Sequence, residues 1–88
     1  MELSEIRKNI DRIDAELIKL LVKRFELMPK VAAYKKQNNI PIDVPKREKA
    51  IIEKKSTELK ELGFNDSKFA HSFFSLIIEK SKEIQRRS

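Results

Sequence analysis

The chain has 88 residues with no cysteine, no tryptophan and one glycine, a length that holds one core and hence one domain over residues 1–88. Its 40% hydrophobic and 39% charged residues exclude a disordered tail, and the lack of a long apolar run excludes a membrane span. The missing cysteine rules out disulfides, thiolate chemistry and cysteine-built zinc sites, while a net charge of +6 favours anionic partners: a nucleic acid, a phosphorylated surface or a small polyanionic metabolite.

The first segment opens on Met1-Glu2-Leu3-Ser4-Glu5, too acidic for a signal peptide, so the expected location is intracellular and cytoplasmic. Apolar residues then fall at Leu3, Ile6, Ile10, Ile13, Leu17, Leu20, Leu27, Val31 and Tyr34. Steps of three and four, broken only at Arg24, make one helical seam. Ser4 or a neighbour can cap its start, and Gln37-Asn38-Asn39 before Pro41 ends it, so the helix spans about residues 4 to 37. Pro29 lies inside and removes one backbone donor below the carbonyl of Phe25, which predicts a local bend.

A second helix starts near Pro45, with Asp43 as its cap, and runs through Ile51, Ile52 and Leu59 to Gly63. The third follows Asn65-Asp66, either of which can cap, and carries Phe69, Phe73, Phe74, Leu76, Ile77, Ile78 and Ile84. With glycine so scarce, the tight turns of a sheet protein have no residue to form them. The fold class is all-α: a long helix, a middle helix and a last helix.

The first helix, at 1.5 Å per residue, is a rod of about 51 Å, whereas a compact chain of this length has a diameter of about 31 Å. The remaining residues cannot cover such a seam. A second copy can, so the sequence predicts a homodimer.

Arg24 occupies a seam position where an unpaired buried charge costs several kcal/mol. The plain reading is a salt bridge to Glu48 or Glu53. Lys35 lies three turns further along, roughly 16 Å away on nearly the same face. It is either an ordinary solvated lysine of the Tyr34-Lys35-Lys36 run or, with Arg24, one of two cations bracketing a small dianion.

Several matched stretches extend this reading. Ile6-Arg7-Lys8-Asn9-Ile10-Asp11-Arg12-Ile13-Asp14, Leu20-Leu21-Val22-Lys23-Arg24, Val31-Ala32-Ala33-Tyr34-Lys35, Pro41-Ile42 with Arg47-Glu48, and Ile77-Ile78-Glu79-Lys80-Ser81 with Gln85 resemble, in order and spacing, the motifs of the AroQ-class, all-helical chorismate mutases. The resemblance covers nearly the whole chain. It implies a cofactor-free Claisen rearrangement of chorismate to prephenate in aromatic amino-acid biosynthesis, in a three-helix protomer that dimerises through its first helix. Such a reaction needs a folded substrate and stabilisation of charge on the breaking ether oxygen, which is work for cations and amides.

Carried over by resemblance, Arg24 holds a carboxylate, Lys35 a carboxylate and the ether oxygen, and Gln85 donates to that oxygen. Glu48 accepts the ring hydroxyl and Ser81 contacts the ring carboxylate. Arg7, the remaining carboxylate ligand, is about 42 Å from Lys35 along one helix, so it is expected from the partner chain. One position departs from the family: Val44 stands where an aspartate is usual and cannot accept a hydrogen bond. Either Asp43 swings in, or backbone groups substitute, or the ring substituent differs.

Isochorismate pyruvate lyase and aminodeoxychorismate mutase, on the same scaffold, are the sibling readings, and retention of Glu48 and Ser81 favours the mutase. A basic helical interaction or nucleic-acid-binding module is the reading from another class, but it should expose its cations as a stripe rather than set Arg24 in the seam. His71 is the lone histidine and has no carboxylate cluster near it in sequence, so no metal site is expected.

Overall fold

All regular structure in the computed structural model, which describes residues 1–88, is helical. The helices are α1 (Leu3–Glu26), α2 (Met28–Gln37), α3 (Pro45–Glu61) and α4 (Ser67–Arg86). The expected long rod is present but divided at Leu27. Pro29 has no N–H to offer the Phe25 carbonyl, so the helical ladder loses a rung there. Leu27 itself stays in the helical basin at φ −79°, ψ −17°, and the ladder resumes with Val31 N–H donating to the Leu27 carbonyl at 3.1 Å. The rod therefore runs on, and the molecule measures 55 × 24 × 16 Å.

The helix ends follow from local chemistry, with two corrections to the expected caps. At the start of α1 the N-cap is Glu2, without a side-chain hydrogen bond, and Ser4 is already inside the first turn. At α3 the N-cap is Val44 rather than Asp43. Pro45 fixes the first helical φ, and the carboxylate of Glu48 reaches back to accept the Val44 N–H at 2.9 Å, an anion at the positive end of the helix. Asp43 is drawn away by ion pairs described below.

Both loops leave their helix through a left-handed residue. Gly63 has φ +94°, its N–H donates to the Lys60 carbonyl, and Phe64 N–H donates to that of Leu59, the paired bonds of a Schellman ending. Asn39, at φ +55°, does the same for α2, with Ile40 N–H on the Lys35 carbonyl at 2.8 Å. Of the two candidate caps, Asn65 and Asp66, it is Asp66 that caps α4, accepting from Phe69 N–H at 3.0 Å.

Helix α4 is the hub, packed on α3 along one side and on α2 along another. Only six residues are buried: Met28 on α2, and Ala70, Ile77, Ile78, Ser81 and Gln85 on α4. Phe64, Phe69, Phe73 and Phe74 form a chain of ring contacts with centroids 5.2 to 5.6 Å apart at the other end of α4.

Helix α1 is different. Every residue from Met1 to Leu20 is exposed, including seam residues Ile13 and Leu20 at 62% and 63%. The radius of gyration is 16.2 Å, against about 12 Å for a compact chain of this size. A stripe of apolar side chains along most of a helix, with nothing of its own chain against it, marks an interaction surface.

Candidate functional site

A cleft of about 390 Å³ opens where the end of α1, helix α2, the 38–44 loop, α3 and α4 meet. Its walls are largely apolar, from Met28, Val31, Ile42, Val44, Ile51 and Ile78. Five of the sequence-predicted residues line it together: Arg24, Lys35, Glu48, Ser81 and Gln85.

Arg24 comes from the last turn of α1 and is half-buried. It makes no salt bridge to Glu48 or Glu53; its Nη1 donates instead to the Ser81 hydroxyl at 2.6 Å. Desolvation without a compensating carboxylate pushes its pKa down. The Ser81 hydroxyl donates in turn to the Ile77 carbonyl at 2.7 Å, which leaves it an acceptor toward Arg24. The guanidinium has five N–H donors, so most of its capacity for a bidentate carboxylate is uncommitted.

Lys35, on α2, is not a solvated lysine. Its ammonium donates to Gln85 Oε1 at 2.9 Å and to the Ile42 carbonyl at 3.1 Å. An ammonium can only donate, which fixes the orientation of the Gln85 amide: Oε1 faces Lys35 and Nε2 faces away. The partner of Nε2 is the Met28 sulfur at 3.6 Å, a weak acceptor that an oxygen would readily replace. The buried Gln85 therefore offers a donor to the cleft beside the ammonium.

Glu48 is held by Val44 N–H on Oε2 and by Lys82 Nζ on Oε1 at 3.0 Å. These bonds keep its carboxyl below the usual range, Lys82 being the larger cause. Val44 presents an apolar side chain to the cleft, and its N–H is spent on Glu48. Asp43 does not line the cleft. It is exposed and paired with Lys82 at 2.9 Å and Arg86 at 3.8 Å, which hold its carboxyl low. Arg7 is also absent from the walls, lying on the exposed part of α1.

Two cations of the cleft were not singled out as site residues by sequence reasoning, Arg47 and Lys82. For Lys82 a signal exists: Ile78, Lys82 and Gln85 are spaced i, i+4, i+7, which puts this lysine on the face that carries Gln85. Its partners, on a loop and another helix, leave no such trace.

The cleft combines four cations with one carboxylate. The only histidine, His71, is exposed, with Nδ1 on the Ser67 carbonyl, and Ser81 has no base beside it. No cluster of three or more His, Cys, Asp or Glu capable of holding a metal occurs, and no helix is long and apolar enough to cross a membrane. Such a site can bind and orient a small polyanion and stabilise growing negative charge next to Lys35 and Gln85.

Comparison with known proteins agrees with this chemistry. The family described as chorismate mutase type II matches residues 6–86. A chorismate mutase of Methanocaldococcus jannaschii is 38% identical over 86 residues, covering 98% of this chain and 86% of that protein. A bifunctional chorismate mutase/prephenate dehydratase of Aquifex aeolicus is 49% identical over 53 residues, 60% of this chain but 15% of that longer protein. A T-protein of Haemophilus influenzae is 38% identical over 63 residues, 72% of this chain and 17% of its own length. No solved structure matches the chain.

Proposed function

The chain belongs to the chorismate mutase type II family, and on that premise we propose that its cleft takes chorismate and converts it to prephenate by an intramolecular Claisen rearrangement. The observation that carries the reading is the pairing of Lys35 with Gln85 in a cleft that also holds a carboxylate-free Arg24. The rearrangement requires no nucleophile. It requires a dianion folded so that its reacting carbons meet, and donors aimed at the ether oxygen as its C–O bond breaks.

Arg24 takes one carboxylate, with Ser81 beside it on the ring carboxylate. Lys35 takes the other and, with Gln85 Nε2, donates to the ether oxygen. Glu48 accepts the ring hydroxyl. With Val44 unable to accept and Asp43 turned toward Lys82 and Arg86, that task falls to Glu48 alone. Retention of Glu48 and Ser81 favours the mutase over isochorismate pyruvate lyase.

The same reading makes the working unit a homodimer, with the exposed seam of α1 laid against a second copy. Arg7 then enters the partner's cleft as a further carboxylate ligand, since it stands about 42 Å along the rod from the Lys35 of its own chain. Each protomer is one domain over residues 1–88. The deciding experiment incubates the protein separately with chorismate and isochorismate and separates the products. Prephenate from chorismate supports the reading, whereas salicylate and pyruvate from isochorismate, with chorismate untouched, would replace it with the lyase.

A further inference from the structure

Lys82 is the most heavily engaged side chain in the molecule. Its ammonium lies 2.9 Å from Asp43 Oδ1, 3.0 Å from Glu48 Oε1 and 3.1 Å from Glu79 Oε1. An ammonium has three donors, so all three are used, and on three different segments: the loop, α3 and α4. The side chain is 11% exposed while lining the cleft. A lysine that gave only surface charge would project into water at little cost or gain. This one is folded inward.

The geometry has a direct effect on Glu48. Two things threaten a carboxylate set against Val44, Ile51 and Ile78: loss of charge by desolvation, and freedom of its side chain to turn away. The Val44 N–H fixes Oε2 and Lys82 fixes Oε1, so both oxygens are held and each keeps a lone pair. The charges facing Glu48 come from every neighbouring element: Asp43 on the loop, Arg47 on its own helix, Lys82 and Glu79 on α4, and Arg86 and Lys35, which act on the nearby Asp43. Without Lys82, Asp43, Glu48 and Glu79 would be three anions around one point.

We propose that Lys82 is a positioning residue for Glu48, clamping its carboxylate charged and aimed into the cleft so that one acceptor suffices where Val44 supplies none. The inference deepens the mutase reading and rests on it. Lys82 acts through Glu48 and the loop, and the three carboxylates hold its own pKa above the ordinary lysine range. Its replacement therefore changes how Glu48 titrates and, with it, the acid limb of the activity, a linked pair of shifts that loss of stability alone would not produce.

The test compares wild type, Lys82→Met, Lys82→Gln and Lys82→Arg. It measures kcat/KM for chorismate against pH, with the Glu48 side-chain carboxyl titrated by carbon-13 NMR in the same proteins. An ionised Glu48 accepts much more strongly than a protonated one, so activity falls as pH drops through its pKa. Removing the charge that depresses that pKa moves the acid limb of the profile upward. Lys82→Met should lose about tenfold or more in kcat/KM at neutral pH and raise both the limb and the Glu48 midpoint. Lys82→Gln should do so less, and Lys82→Arg should restore the wild-type limb. If Lys82→Met does not fold, Lys82→Gln decides in its place. A folded variant with its acid limb and Glu48 midpoint both at wild-type values would overturn the inference. If wild type leaves chorismate unconverted, the mutase reading itself fails, and the Glu48 midpoint still decides whether Lys82 governs that carboxylate.

Discussion

The ammonium of Lys35 and the amide oxygen of Gln85 meet at 2.9 Å across the junction of α2 and α4. One is a fixed charge and the other a neutral dipole held by it, so the two should differ in how they support the reaction. Lys35→Ala should lose at least about a hundred- to a thousandfold in kcat, as removal of an oxyanion donor does, and more in kcat/KM because the lysine is proposed to hold a ground-state carboxylate as well. Gln85→Ala should lose less. Gln85→Glu is inhibitory while ionised and a donor once protonated, and burial at this position favours the protonated form. Its kcat should rise as pH falls from 8 to 5, against any acid unfolding. A flat or falling profile with circular dichroism unchanged would remove Gln85 from the mechanism.

Arg24 and Ser81 make a second test, because Ser81 keeps a partner in the Ile77 carbonyl if the guanidinium is removed. Replacing an unpaired, partly desolvated charge by an apolar side chain is commonly neutral or stabilising by about 1 kcal/mol or more. Arg24→Leu should therefore match or exceed wild type in its urea midpoint while losing about a hundredfold or more in kcat/KM. A variant that loses stability in step with activity would mean that Arg24 serves the fold.

Arg7 and Lys35 test the assembly. Arg7→Ala and Lys35→Ala proteins, each nearly inactive, should recover activity when mixed and allowed to exchange subunits. Heterodimers carry one intact and one doubly damaged site, which gives roughly a quarter of wild-type activity at random exchange. Activity that stays at the single-mutant level after exchange is verified by mass spectrometry would rule out a shared site.

The exposed seam makes a prediction about stability itself. The single chain buries six residues, and the proposed dimer would add the seam of α1 to that core, so the thermal midpoint should rise with protein concentration. Leu17→Lys should give a chain that sediments as a monomer and has lost most of its helical circular dichroism. A well-folded monomer would show that α1 needs no cover.

The loop ends and the middle of the rod show what a sequence can reveal. Gly63 and Asp66 were readable because each acts through its own backbone neighbourhood, one by tolerating φ +94° and the other by accepting Phe69 N–H. The apolar spacing of α1 was readable for the same reason. Asp43 was not: the local rule makes it a cap, and tertiary ion pairs with Lys82 and Arg86 override that rule. The partner of Arg24 was equally hidden, since Ser81 is 57 residues away, and spacing supplied Glu48 and Glu53 as nearer candidates. Gln85 and Ser81 share a helical face by their i, i+4 spacing, but their burial could be known only from the packing of α4.

The interruption at Leu27 lies between the two cations expected to grip the substrate, with Arg24 on α1 and Lys35 on α2. Their separation is thus set by the backbone geometry at Leu27 as well as by helical rise. Lys35 stands about 12 Å beyond Leu27, so about 5° of rotation there carries it about 1 Å. A shift of that size is enough to spoil a reactive geometry by a large factor. Pro29, which removes one hydrogen bond at this point, therefore bears on the spacing of Arg24 and Lys35 from outside the cleft walls.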